Sequence, residues 1–179
     1  MNGVLYYDTK YGSTTQISEW IADKVDNVEI RWITENPVIE QKYDYFILGT
    51  PIFIGKPTIN FINFINKNKK IILYKPLFLF ITSWAQSTKY KDECKNFIAL
   101  IKSYLSPCVP AIARSLPGRL YMDEITQKDR NIMGKLLRRI DNLSEEFDSK
   151  TIEFNDKTSK EQSQRFGCDI NEWFGSNMF

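Results

Sequence analysis

The chain has 179 residues and no histidine. That excludes a histidine-based catalytic triad and any histidine-ligated metal. Cysteine is scarce: Cys94, Cys108 and Cys168 are odd in number, widely spaced, and never form a C-x-x-C pair. Neither a disulfide framework nor a zinc site is suggested, and a reducing cytoplasm is the expected compartment. No apolar run reaches the ~20 residues needed to cross a bilayer. The N-terminus runs straight into strand-like sequence without a basic region, so no signal peptide is expected. The net charge of +2 and the lack of any Lys/Arg-rich run leave no nucleic-acid footprint. Glycine is sparse too. The chain has neither the three spaced glycines of a dinucleotide site nor the Gly-Lys-Ser/Thr ending of a P-loop.

What is present is an alternation of apolar strands and amphipathic helices. Val4 to Tyr7 reads as a first strand and Val28 to Ile33 as a second, with a turn at Asn36-Pro37. Tyr43 to Gly49 is a third strand, and Leu77 to Ile81 forms the core of a fourth. A fifth lies within Ala111 to Met122, interrupted by Pro117-Gly118. Between them fall helical patterns. Ile17, Trp20, Ile21 and Val25 make one, and a second opens at Pro57 with Ile59, Phe61, Ile62 and Ile65. Phe97, Leu100, Ile101 and Tyr104 make a third. The longest runs from Thr126 to Phe147 on a stripe of Ile132, Met133, Leu136, Leu137, Ile140 and Leu143. Strands separated by helices predict an α/β fold: three layers around a doubly wound five-stranded parallel sheet of order 2-1-3-4-5. Its ligand crevice should open at the carboxyl ends of strands one and three. The expected domain is 1–148. From Ser149 to Phe179 the composition turns polar, predicting a tail that is partly mobile or docked by Trp173, Phe174 and Phe179.

Three loops should meet at the crevice. The first, Thr9-Lys10-Tyr11-Gly12-Ser13-Thr14, joins strand one to the first helix. Helix N-termini carry unpartnered N–H groups and positive dipole ends, so a phosphate suits this place. Simple helix capping accounts for its hydroxyls equally well. The second loop is Thr50-Pro51-Ile52-Phe53-Ile54-Gly55 and the third is Thr82-Ser83-Trp84-Ala85-Gln86. Phe53 and Trp84 are candidates for stacking on a flat ring, or are plain core aromatics.

The first loop resembles the flavodoxin signature: Leu5, Tyr6, Tyr7, Thr9, Gly12, Thr14 and Ile21 fit it, with Ser18 where the family has alanine. The resemblance implies FMN as cofactor. Thr9 to Thr14 would wrap its phosphate, and the second and third loops would sandwich its isoalloxazine ring. The second loop with its following helix, and the Pro117-Gly118-Arg119-Leu120-Tyr121 stretch, further resemble the flavodoxin-domain group that includes the menaquinone-dependent protoporphyrinogen dehydrogenases. On that resemblance the chain is an FMN-dependent oxidoreductase. Its partners would be a redox protein, a quinone or a small-molecule substrate, and no residue is assigned a catalytic role. A one-electron carrier and a flavin-free partner-binding module are the alternatives. Carrier flavodoxins are typically strongly acidic, which this chain is not. The ring-holding loops, 50–57 and 82–90, contain no Asp or Glu, while Lys10, Lys56 and Lys89 supply positive charge, so a reduced, anionic ring should be less disfavoured than in those carriers. A phosphoacceptor receiver domain fails at its central residue, because strand three ends in Gly49-Thr50-Pro51 where an aspartate is required.

Overall fold

A computed structural model describes residues 1–33, 38–119, 124–141 and 156–177, with the side chains of 136–141 outside the description. The Asn36-Pro37 turn, the Leu120-Tyr121 stretch, Leu143 and Phe179 therefore lie outside the described residues.

The parallel strands are β1 (Gly3–Tyr7), β2 (Val28–Trp32), β3 (Tyr45–Phe53), β5 (Leu77–Ser83) and β6 (Ile112–Pro117). A two-residue strand, β4 (Lys56–Pro57), pairs antiparallel with the end of β3. The sheet order is β2-β1-β3-β5-β6, which is the expected 2-1-3-4-5 order once β4 is set aside. The central strands β1 and β5 are buried throughout, and β3 is buried up to Pro51. Their continuous apolar runs follow from being covered on both faces. The edge strand β2 alternates charged and apolar residues and stays half open.

Side-chain alternation along the strands separates two cores. Val4, Tyr6, Leu77, Leu79 and Ile81 face one side, against Phe61, Phe64 and Ile65 of α2 (Ile59–Ile72) and Ile101 and Leu105 of α3 (Glu93–Leu105). Leu5, Tyr7, Phe78 and Phe80 face the other, against Ile17 and Ile21 of α1 (Ser13–Ala22) and Phe166 and Ile170 of α5 (Lys160–Asn177).

Helix α5 occupies the segment that reads as a polar tail. Its apolar residues are few but large: Trp173 and Phe174 pack edge-on against Phe78, and Phe174 also meets Tyr45. Gly167 lets it close on α1, since a Cβ there would lie 2.7 Å from the Ile21 carbonyl oxygen. Asn171 donates to the Lys24 carbonyl at 2.8 Å, just beyond the end of α1. Asp169 joins α5 to β6 through Arg114. The long amphipathic pattern of residues 126–147 falls only partly within the described residues. Its described part, α4 (Gln127–Asp141), lies at the carboxyl end of the sheet, where Ile125 and Met133 pack on Tyr11, Phe53, Ile54 and Trp84. Among the described residues no helix is long and apolar enough to cross a membrane.

Candidate functional site

Strand β1 delivers the first loop to the carboxyl edge of the sheet. Gly12 takes a left-handed conformation, φ 79°, and α1 starts immediately after it without a side-chain cap. The Thr9 hydroxyl is occupied within the loop, accepting from the Gly12 N–H at 3.0 Å. So the first N–H groups of α1 point outward with no partner from their own helix. A guanidinium stands beside them: a Cβ on Gly12 would come within 3.3 Å of Arg119 Nη2, and Arg119 Nη1 donates to Gln16 Oε1 at 3.3 Å. Arg119 arrives from the loop after β6.

The second loop is a continuation of β3 rather than an irregular segment. Strand β3 runs to Phe53, and Ile54-Gly55 forms a tight two-residue turn into β4, so Pro57 belongs to β4 and the helix begins at Ile59 behind the Thr58 cap. Both turn residues have positive φ, 52° at Ile54 and 75° at Gly55. That geometry is natural for glycine and strained for a β-branched residue. The Ile54 side chain packs against the buried cluster of Ile125 and Met133. The third loop folds as a 3-10 turn, Trp84–Ser87, capped by the Ser83 hydroxyl.

These loops enclose a cavity of about 400 Å³, within the range of ligand sites. Of the residues singled out from sequence, Lys10, Tyr11, Ser13, Pro51, Ile52, Phe53, Ile54, Gly55, Thr82, Ser83, Trp84 and Ala85 line it. Thr9, Gly12, Thr14, Thr50 and Gln86 do not. Thr50 and Thr14 are fully buried, and the Thr14 hydroxyl is turned onto Thr82 at 2.9 Å. Ser18 spends its hydroxyl on the Thr14 carbonyl, at 2.8 Å.

The cavity also uses residues that the sequence reading left unassigned: Tyr90, Glu93, Phe97, Gly118, Arg119 and Met133. The first three come from α3 and the turn before it, where Phe97 reads as one more member of a core stripe. Arg119 was visible as part of a family-like stretch but carried no role. Behind the wall, Asp129 of α4 pairs with Lys10 at 2.7 Å and accepts from the Tyr11 hydroxyl. Burial pushes the Asp129 carboxyl up, but the Lys10 ammonium and the Tyr11 hydroxyl outweigh it and hold the group below the usual carboxylate range. Tyr11 is pushed up by burial and by its bond to that carboxylate, so it remains a neutral donor. Lys10 Nζ also sits 3.7 Å from the centre of the Phe53 ring, a cation–π contact.

Among the described residues no group of histidine, cysteine and carboxylate side chains could hold a metal. The arrangement suits a flat molecule with an anionic end. Aromatic rings from Tyr11, Phe53, Trp84, Tyr90 and Phe97 line the cavity, and cations stand beside a helix N-terminus.

No curated protein sequence matches the chain. Several solved structures share its fold at low identity. A flavodoxin from the domain Archaea aligns over 98% of this chain and 99% of its own at 14% identity, with a TM-score of 0.57. A flavodoxin, WrbA-like protein from Agrobacterium tumefaciens aligns over 98% of both chains at 16% identity, TM-score 0.54. A Lactobacillus acidophilus flavoprotein, solved in complex with FMN, covers 64% of this chain and 92% of its own at 12% identity, TM-score 0.52. A family profile described as Flavodoxin domain matches residues 4–148. With the sheet order, the phosphate-type loop and most of the chain's length in agreement, the chain belongs to the flavodoxin-domain family.

Proposed function

We propose that this chain is an FMN-dependent redox protein, and within that class an oxidoreductase acting on a quinone or another flat small molecule. The observation that carries the reading is the uncapped start of α1 beside Arg119, opening into an aromatic-walled cavity of about 400 Å³. FMN supplies reversible one- or two-electron transfer when bound. The protein's share is to bind, orient and tune.

The N–H groups after Gly12, the Ser13 hydroxyl and the Arg119 guanidinium are the residues for the phosphate. Phe53 and Trp84 are the rings for the isoalloxazine, which gains burial and stacking against them. Backbone groups along Pro51–Gly55 and Thr82–Ala85 offer its polar edge directional partners. Lys10 and Arg119 bring positive charge to the cavity, and Glu93 is the carboxylate among its lining residues. Added electrons are therefore less opposed than in a site ringed by acids. With all three cysteines free, the reducing cytoplasm is the compartment assigned.

The protein as purified should be yellow, and mass spectrometry of the released cofactor should return FMN. Recovery of FAD alone, or a colourless protein that does not bind added FMN, overturns the cofactor assignment. Reduction of a short-chain quinone at substrate-dependent rates supports the oxidoreductase reading. Exchange with redox proteins only would make the chain a carrier.

A further inference from the structure

We propose that Glu93 and Phe97 of α3 form a substrate subsite within the cavity, for a flat aromatic molecule with a cationic or hydrogen-bond-donating edge, and that Glu93 sets the charge preference. The proposal rests on the FMN reading above and names a substrate class for the same site.

The three loops expected around a flavin account for one part of the cavity wall. Another part comes from α3, as Glu93 and Phe97. They are four residues apart on one helix, so they project from the same face. Phe97 is half-buried and packs on the core beneath α3. Its ring edge reaches the second loop, since a Cβ on Gly55 would lie 3.8 Å from Phe97 Cε1. The ring is thus fixed by the core and offers apolar surface to a flat ligand. Glu93, one turn earlier, is exposed at the rim. Its Oε2 accepts from Asn96 Nδ2 at 3.0 Å. Asn96 is a neutral donor, so this bond orients the carboxylate and leaves its charge in place. The adjacent Asp92 is directed elsewhere, to Lys95 at 3.3 Å.

Helices α1 and α3 pack on opposite faces of the sheet. Glu93 and the start of α1 beside Arg119 therefore reach the cavity from opposite sides. The cavity is polarised, positive where α1 begins and negative where α3 begins. An anionic group is drawn to the first end. At the second, a carboxylate repels it and attracts a cation or an N–H or O–H donor. Among the flat molecules admitted by the oxidoreductase reading, this selects cationic or donor-bearing ones over carboxylated or sulfonated ones. An acid in the first helical turn also complements the helix dipole. That role alone changes stability and leaves ligand choice untouched.

The test is isothermal titration of the FMN-loaded protein with two redox-inert probes of similar shape, 1-naphthylmethylammonium and 1-naphthoate. The parent should bind the cation more tightly, and the preference should shrink as salt is raised, because an exposed charge pair is screened. Glu93→Gln should cut the cation-to-anion affinity ratio by about fivefold, and Glu93→Lys should reverse it. Asn96→Ala should cut the ratio by less. Phe97→Leu should weaken both probes together and keep the ratio. Equal affinity for the two probes in the parent, or a ratio that Glu93→Gln does not move, overturns the proposal. A lower unfolding midpoint with an unchanged ratio does the same, leaving Glu93 as a partner of the helix dipole. Weaker FMN binding in Glu93→Gln in place of an altered ratio would put the carboxylate against the cofactor, and overturns it too. A parent protein that takes up no FMN defeats the functional reading, whereas an FMN-loaded parent indifferent to probe charge defeats the subsite alone.

Discussion

Helices α4 and α5 both follow β6, and their described contacts differ in kind. Helix α5 is fixed by large side chains sunk into a core: Phe166 and Ile170 are fully buried, and Gly167 brings its backbone against α1. At α4, among the described side chains, Met133 and the preceding Ile125 are buried against the cavity loops and Asp129 pairs with Lys10. The α4 segment carries a long regular apolar stripe, whereas the α5 segment is mostly polar. Periodicity reports that a helix has an apolar face; it does not report what that face covers.

The comparison is broken most directly by truncation. Phe166→Ala should cost about 3–5 kcal/mol, the usual range for a fully buried phenylalanine. Met133→Ala should cost less, about 2 kcal/mol or below, because Met133 stands at the cavity wall rather than in either core of the sheet. Urea unfolding measures both. Equal losses would mean that α4 belongs to the body.

Ligand affinity should divide the molecule along the same line. Arg119→Ala should weaken FMN binding by ~1.5–3 kcal/mol, roughly tenfold to hundredfold, for a lost charged contact to phosphate, and leave the unfolding midpoint near the parent. Thr14→Ala should weaken it less, since the Thr14 hydroxyl is engaged by Thr82. Isothermal titration of the apo-variants ranks the two, and a larger loss at Thr14 would move the phosphate deeper into the loop.

Gly167→Ala sharpens the account of α5. The new Cβ would meet the backbone oxygen of Ile21 rather than a yielding side chain, so the helix must shift at a cost of about 1–3 kcal/mol. A neutral result in thermal unfolding would show that the α1–α5 contact is looser than the geometry indicates.

Much of the fold was legible because the central strands are continuous apolar runs and the crossovers fall at regular intervals. The first loop was legible because a strand, a short hydroxyl-rich turn and a helix start leave little freedom in where its N–H groups point. The second and third loops were placed by resemblance. The rest of the site was hidden for identifiable reasons. Phe97 is in phase with buried Ile101, and no periodicity tells which end of α3 reaches the crevice. Arg119 and Asp129 matter only through tertiary neighbours more than a hundred residues away, Gln16 and Tyr11. The two loops carry no acid, yet Glu93 of α3 lines the cavity and Asp129 of α4 stands behind its wall.

The smallest expected effect concerns pH, through the contact of Asp129 with Lys10 and Tyr11. The folded Asp129 carboxyl lies below its usual range because Lys10 and Tyr11 outweigh burial. A group with a depressed folded value contributes stability that is present in full above the unfolded value, ~3.9 for aspartate, and lost as pH falls through the folded one. Tyr11 is raised by burial and by Asp129, so its hydroxyl keeps its proton up to and beyond its ordinary ~10. The chain has no histidine to titrate between those limits. The contribution of this contact to stability should therefore be flat from about pH 5 to about pH 9 and be lost only near and below about pH 4. Cofactor release is a poor readout here, because a phosphate monoester itself ionises near pH ~6. Amide exchange of α4 in the ligand-free protein, corrected for the intrinsic pH dependence of exchange, avoids that. A transition centred between about pH 6 and 8 would show that a group other than Asp129 and Tyr11 controls the local stability of α4.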